Sequence, residues 1–387
     1  MKLFVLTSRI PYPLEKGDKL RVYHQIKELS KKNKIYLCAL NLPFTKVHPD
    51  AMAVLSEFCE DIRFINLSLL NISKSLFKSV FTKTPFQSAL FSDAKAKKQV
   101  NKYLESVKPD HIYCQLTRVA DYVIDNKQKK TLDYMDAFSK GMERRKNKAK
   151  FIKKAFYNWE YKKQKAYEKT VFDPFNQHSI ITEEDRNHID HKERKHIHII
   201  PNGVDFNYFK PVDTKEEYDM VFVGNLSYPP NVDACIYLCK EILPIIQKKL
   251  PEVKVLLAGA KPTNKITALS SKCIHVSGWL DDIRLAYAKS KLFVAPMRMG
   301  TGLQNKLLEA MAMKKACVTS SLANKALKAP VNSVHIGDTA EEIAQKCIQL
   351  LEDKEERNKL ANHGNVFVKE TYNWSKSTQL LEKLFIK

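Results

Sequence analysis

The chain has 387 residues, 44% of them hydrophobic, and 65 Lys and Arg against 43 Asp and Glu give it a formal net charge of +22. That length and apolar share suit two globular domains rather than one. No apolar run approaches the ~18 to 20 residues of a membrane-spanning helix, and Leu3 to Leu6 is too short for a signal-peptide core, so a cytoplasmic location is expected.

In chain order, Lys2 to Thr7 reads as a strand, Lys19 to Lys32 as a helix and Ile35 to Leu40 as the next strand. Further strands are predicted at Ile62 to Asn66, His111 to Cys114, Thr131 to Met135 and Ser179 to Thr182, with helices between them. Two intervening stretches are basic and apolar together. Between Leu69 and Phe91, residues Leu76, Phe77, Val80, Phe81, Phe86 and Phe91 alternate with Lys74, Lys78 and Lys83. Between Lys140 and Lys169, twelve Lys or Arg face three Glu, and Phe151, Ile152, Ala155, Phe156 and Trp159 recur at helical spacing. Such helices suit an anionic membrane surface; packing on the domain core with solvated lysines is the other reading.

Pro201-Asn202-Gly203-Val204-Asp205 interrupts the pattern and marks a join. Beyond it, strands near Met220, Val253, Ile274, Leu292, Ala316 and Val334 alternate with helices, and a last helix runs from about Trp374 to Phe385. The alternation predicts two doubly wound α/β domains with parallel sheets, over 1–200 and 201–373, with 374–387 packing back on the first. The eight cysteines are scattered without a C-x-x-C pair, and Cys235 and Cys239 lack zinc partners, so buried reduced thiols are expected.

Only ten glycines occur, and several end strands. Gly224 follows Met220 to Val223, Gly259 follows Val253 to Ala258, and Gly278 follows Ile274 to Ser277. Gly300-Thr301-Gly302 follows the apolar run Leu292 to Pro296 and opens a helix through Ala312. A helix start with free N–H groups, reached through glycines, is where phosphates bind. Leu303, Leu307, Ala310 and Met311 mark the apolar side of this helix, while Gly302, Asn305, Lys306 and Glu309 share another at three- and four-residue spacings. A cation for a diphosphate thus stands beside a carboxylate for vicinal hydroxyls.

The ordered set Pro201 to Asp205, Phe222-Val223-Gly224-Asn225, Leu257-Ala258-Gly259, Gly278-Trp279 and Gly300 through Ala312 resembles the second domain of retaining family 4 glycosyltransferases. Ser8-Arg9-Ile10-Pro11-Tyr12-Pro13 and Gly17-Asp18-Lys19-Leu20-Arg21 resemble the opening of bacterial exopolysaccharide sugar transferases, including those associated with PEP-CTERM sorting. The resemblance implies a GT-B fold: two Rossmann-like domains facing a cleft, with a nucleotide sugar held mainly by the second and a glycan or lipid-linked acceptor by the first. It implies Glu309 on the ribose hydroxyls, and backbone donors at Gly300, Thr301 and Gly302, with Gly224, Asn225 and Asn305 in the same site. Trp279 would lie beside the base or pack under its loop.

Two departures from the family pattern stand out. The first of its usual two glutamates is replaced by Thr301, and no Arg or Lys follows Gly224 closely. Lys306 and Arg298 are therefore expected to neutralise the phosphates. In the first domain Gly17, Asp18 and Arg21 are expected near donor and acceptor, and Asp133 and Asp136 are candidates for an acceptor hydroxyl; each carboxylate would serve equally as a helix cap or surface charge. No D-x-D motif stands at a strand end, so no metal and no other cofactor is expected, and no nucleic-acid-binding motif occurs. The competing functions are a nucleotide-sugar epimerase of the same architecture and a basic nucleic-acid-binding protein.

Overall fold

The computed structural model describes residues 1–300 and 302–386. Two compact units divide the chain: Met1–Pro201 with the helix Trp374–Ile386, and Asn202–Asn373.

The first unit is built on seven parallel strands: β1 (Lys2–Thr7), β2 (Lys34–Asn41), β3 (Asp61–Asn66), β4 (His111–Gln115), β5 (Lys130–Asp133), β6 (Gln177–Ile180) and β7 (His198–Ile199). Their order is β3-β2-β1-β4-β5-β6-β7, with every pairing parallel. Helices cover both faces, so β4 and β5 are buried at every residue and read as near-continuous runs without the alternation of a half-exposed strand. Leu3, Val5 and Leu37 pack on one face with the helix Gly17–Leu29, and Phe4, Leu6 and Ile112 on the other with the helix Ala94–Val107. The final helix joins the first face through Leu381, Leu384 and Phe385, His24 stacks on Trp374 at 5.0 Å, and Asn33 Nδ2 donates to Glu382 at 2.9 Å.

The second unit carries six parallel strands: β8 (Tyr218–Val223), β9 (Val255–Ala258), β10 (Ile274–Gly278), β11 (Ser290–Ala295), β12 (Ala316–Thr319) and β13 (His335–Ile336). They lie in the order β10-β9-β8-β11-β12-β13. In each sheet the order reverses once, between β1 and β4 and between β8 and β11. A doubly wound sheet opens its ligand crevice at that reversal, outside the carboxyl ends of the strands.

Some elements differ in detail from the sequence expectation. The strand expected to reach Met135 stops at Asp133, because the chain turns there: Met135 takes φ 62, which breaks the extended run. The first helix ends at Leu29 rather than Lys32, its last carbonyls closed by the Ser30 N–H. No described helix is long and apolar enough to cross a membrane.

Candidate functional site

At the reversal of the second sheet, the glycine-ended strands bring their loops together. The Gly224 N–H donates to the Ala258 carbonyl at 3.0 Å, and the Gly259 N–H to the Gly278 carbonyl at 3.1 Å. Gly259 has φ +138, and a Cβ there would run into the Gly224 carbonyl, so only glycine permits this approach of the β8 and β9 loops. Gly300, at φ +94, sits against Pro230, the second residue of the helix Pro229–Tyr237.

The helix that follows, Asn305–Ala312, buries Leu307, Leu308, Ala310 and Met311 and leaves Asn305, Lys306 and Glu309 half-buried. Gln304 precedes it without a side-chain cap, so the first turn keeps backbone donors for a ligand. Lys306 Nζ donates to Asn231 Oδ1 at 2.5 Å and lies 4.6 Å from the centre of the Phe222 ring. Burial lowers its ammonium to about 8. Asn231 is the organiser that sequence reading missed: its Nδ2 donates to the Asn225 carbonyl at 2.9 Å, tying the β8 loop to the lysine. Asn225 Oδ1 in turn accepts the Ser227 N–H at 2.9 Å.

Glu309 stands one turn beyond Lys306 and accepts the Tyr287 hydroxyl at 2.8 Å. Burial raises this carboxyl, opposed by the Tyr287 bond and by Lys306. Tyr287 is the second residue the sequence did not single out; its only signal was an apolar context before β11. Asn305 Oδ1 is buried without a hydrogen-bond partner, and Gly302 has open space where a Cβ would be. Trp279 is 64% exposed in the loop after β10, its Nε1 donating to Asp281 at 3.0 Å, so it does not pack beneath that loop. Thr301 lies outside the described residues.

Arg298 is not grouped with Lys306. It forks onto Asp233 at 3.1 and 3.2 Å, reaches Glu241 at 3.3 Å and stacks over Tyr237 at 4.0 Å. Its charge is already matched by two carboxylates, which corrects the expectation of a free phosphate cation there.

In the first unit the same reversal gathers the loops after β1, β4 and β5. Gly17 begins a helix, with Asp18 next to it in an ion pair to Arg9, and the Asp18 carbonyl accepts Gln115 Nε2 at 2.8 Å. Asp133 is a correction. It is wholly buried, receives Arg21 Nε at 2.7 Å and Nη2 at 3.1 Å, and also accepts Tyr113 Oη at 3.0 Å and Ser179 Oγ at 2.8 Å. Arg21 Nη1 also donates to the Ile200 carbonyl at 2.9 Å. This saturated pair pins the first helix to β5 and has no capacity left for an acceptor hydroxyl. Asp136 is different: half-buried, without a side-chain hydrogen bond, and pushed up to about 7 by burial and by Asp185, against the pull of Arg21. Among the described residues no three His, Cys, Asp or Glu group as a metal would need.

The two basic stretches are in contact. The helices Leu69–Phe81 and Phe151–Thr170 touch where Lys163 Nζ donates to the Ser79 carbonyl, and Phe86 lies 5.8 Å from Phe156 and 5.4 Å from Trp159. Phe77 and Phe81 are 71% and 76% exposed; Phe151 and Ile152 are 89% and 86% exposed. The buried side of the second helix is polar instead. Glu160 accepts the Phe86 and Gln87 N–H groups at 3.1 and 3.3 Å, and Glu168 accepts that of Ser139 at 2.9 Å.

Residues 217–353 match the family model described as Glycosyl transferases group 1. Over 350 residues, covering 84% of each chain, the protein is 22% identical to one from Klebsiella pneumoniae described as an uncharacterized 44.6 kDa protein in the cps region. Its fold is similar to sucrose-phosphate synthase from Thermosynechococcus elongatus, with a TM-score of 0.70 at 14% identity, covering 100% of this chain and 98% of that one. It is also similar to HepE of Anabaena in complex with UDP, with a TM-score of 0.68 at 14% identity and 99% of both chains covered. The architecture is GT-B, and the family match with these folds supports a glycosyltransferase.

Proposed function

We propose that the protein is a retaining, family 4 glycosyltransferase that moves a sugar from a nucleotide-sugar donor to a glycan or lipid-linked acceptor in cell-surface polysaccharide synthesis. The observation that carries this reading is the pairing of Lys306 and Glu309, one turn apart on the helix that leaves the glycine loop at the β8/β11 reversal. A carboxylate accepts two hydrogen bonds from a ribose diol, and an ammonium beside a helix start receives a diphosphate. The relative described in a cps region and the UDP complex of HepE support the same class of donor and product.

The chemistry rests on charge development. Breaking the bond from the anomeric carbon to the diphosphate leaves positive character on the sugar and a negative leaving group. Lys306 and the backbone donors from Gly302 to Asn305 stabilise that group more in the transition state than before it. The departing diphosphate takes the proton of the acceptor hydroxyl on the same face, so no strong protein base is required. Within the first unit, the Asp136 carboxyl has free capacity to hydrogen-bond a hydroxyl of the acceptor. This reading needs no divalent metal, so chelation with EDTA is expected to leave the rate unchanged.

Calorimetric titration of UDP, GDP, CDP and ADP into the intact protein and into Glu309→Ala tests the reading. One nucleotide binds selectively, and the variant loses roughly 10- to 100-fold, the worth of hydrogen bonds to a charged group. Folded protein that binds none of the four overturns the proposal. Product analysis separates it from an epimerase, which alters the sugar without transferring it.

A further inference from the structure

We propose that the crevice at the β1/β4 reversal of the first unit binds an anionic acceptor, with Arg118 holding its phosphate or carboxylate group. Naming that ligand an acceptor rests on the transferase reading; the anion site itself does not.

Arg118 lies in the six-residue 3₁₀ helix Thr117–Tyr122 that follows β4, where the ligand crevice of this sheet opens. Its guanidinium sits between two aromatic rings, 5.5 Å from the centre of Phe91 and 4.6 Å from that of Phe138. Of five N–H donors, one is used: Nη2 donates to Gln87 Oε1 at 3.1 Å. Nε is buried without a partner, and among the described residues no carboxylate lies within ion-pair distance of this side chain.

Four other arginines with buried or stacked heads have their charge matched. Arg21 has Asp133, Arg9 has Asp18, Arg284 has Asp282 and Arg298 has Asp233. A guanidinium held away from water without a counter-charge is destabilising unless something supplies one. Burial and the neighbouring Arg9 lower the Arg118 cation to about 10, and the charges of Asp18 and Asp136 oppose them only from beyond ion-pair distance. Arg9 approaches the other edge of the crevice, 5.8 Å from the same Phe91 ring. Arg144 Nε is also buried without a partner, and its charge bears on Asp136, whose own charge bears on Arg118.

The arrangement therefore offers a planar fork for an anion next to a carboxyl for a hydroxyl. Those are the two features of a sugar or lipid carrying both groups. The aromatic walls exclude water from the guanidinium and orient it, so discrimination against neutral sugars is expected.

The test uses three probes in calorimetric titration: farnesyl phosphate, methyl glucuronide and the neutral methyl glucoside. At least one anionic probe binds the intact protein and the neutral one does not, and which of the two binds identifies lipid phosphate or sugar carboxylate as the source. Arg118→Gln weakens that binding at least tenfold, while UDP affinity stays within twofold. Because Arg118 packs on two rings, a second measurement uses the unmutated protein: the bound anionic probe protects Arg118 from phenylglyoxal, read by peptide mass, and UDP does not. Unchanged anion binding in the variant, no binding of either anionic probe, or protection by UDP alone overturns the proposal. Anion binding through Arg118 in a protein that takes up no nucleotide sinks the transferase reading and leaves the anion site standing.

Discussion

Lys306 keeps its charge at the edge of what burial allows, with its ammonium lowered to about 8 and a single strong acceptor in Asn231. A bound diphosphate favours the charged form, so nucleotide binding takes up a proton wherever the free lysine has lost it. Affinity for the nucleoside diphosphate is therefore expected to fall by roughly tenfold as pH rises from about 7 to 9.5. Lys306→Met is expected to bind weakly at every pH and to show no such slope, checked by titration across that range. Asp133 teaches the opposite lesson at the same scale. A carboxylate after a strand reads as a candidate for chemistry, yet its partner Arg21 is 112 positions away in sequence, and the pairing is visible only once both are in place.

Among elements, the β8 and β9 loops depend on a contact between two glycines. Gly259→Ala places a methyl group against the Gly224 carbonyl in a backbone conformation that side chains rarely adopt. A loss of about 2 to 3 kcal/mol or more in stability is expected, with weakened nucleotide affinity, measured by thermal unfolding and titration. Gly141→Ala is the control: its Cβ meets nothing within 4 Å in the helix Phe138–Lys148, and a gain of about 0.5 to 1 kcal/mol is expected. The basic helix Phe151–Thr170 also reverses a simple pattern. Its apolar stripe suggested either a membrane or the core. The structure buries Glu160, Gln164, Tyr167 and Glu168 and leaves the aromatic start outside, because the carboxylates close helix starts that need acceptors.

For the whole molecule, Phe77 and Phe81 on one helix and Phe151 and Ile152 on another stand exposed among lysines of the first unit, and this favours an anionic bilayer over a nucleic acid as the expected partner of the surplus charge. Apolar insertion and attraction to anionic lipid reinforce each other there. The protein is expected to float with phosphatidylglycerol vesicles at low salt and to release as salt screens the charges. Replacing the four apolar residues with serine is expected to cut vesicle binding at least tenfold while leaving nucleotide affinity intact; intact protein that stays in the soluble fraction refutes the expectation.

The two-sheet α/β architecture was legible from the residues alone, because parallel strands covered on both faces must be nearly continuous apolar runs and the helices between them must carry one apolar side. The glycines after β8, β9 and β11 and the shared side of Asn305, Lys306 and Glu309 were legible for a related reason: local backbone geometry and helical spacing are properties of short segments. Tertiary structure alone decided which charges were already spoken for. It matched Arg298 with Asp233 and Arg21 with Asp133, brought Asn231 to Lys306 and Tyr287 to Glu309, and left Arg118 between two rings with no carboxylate. Charge compensation acts over a few ångströms in space, and separation along the chain carries no record of it.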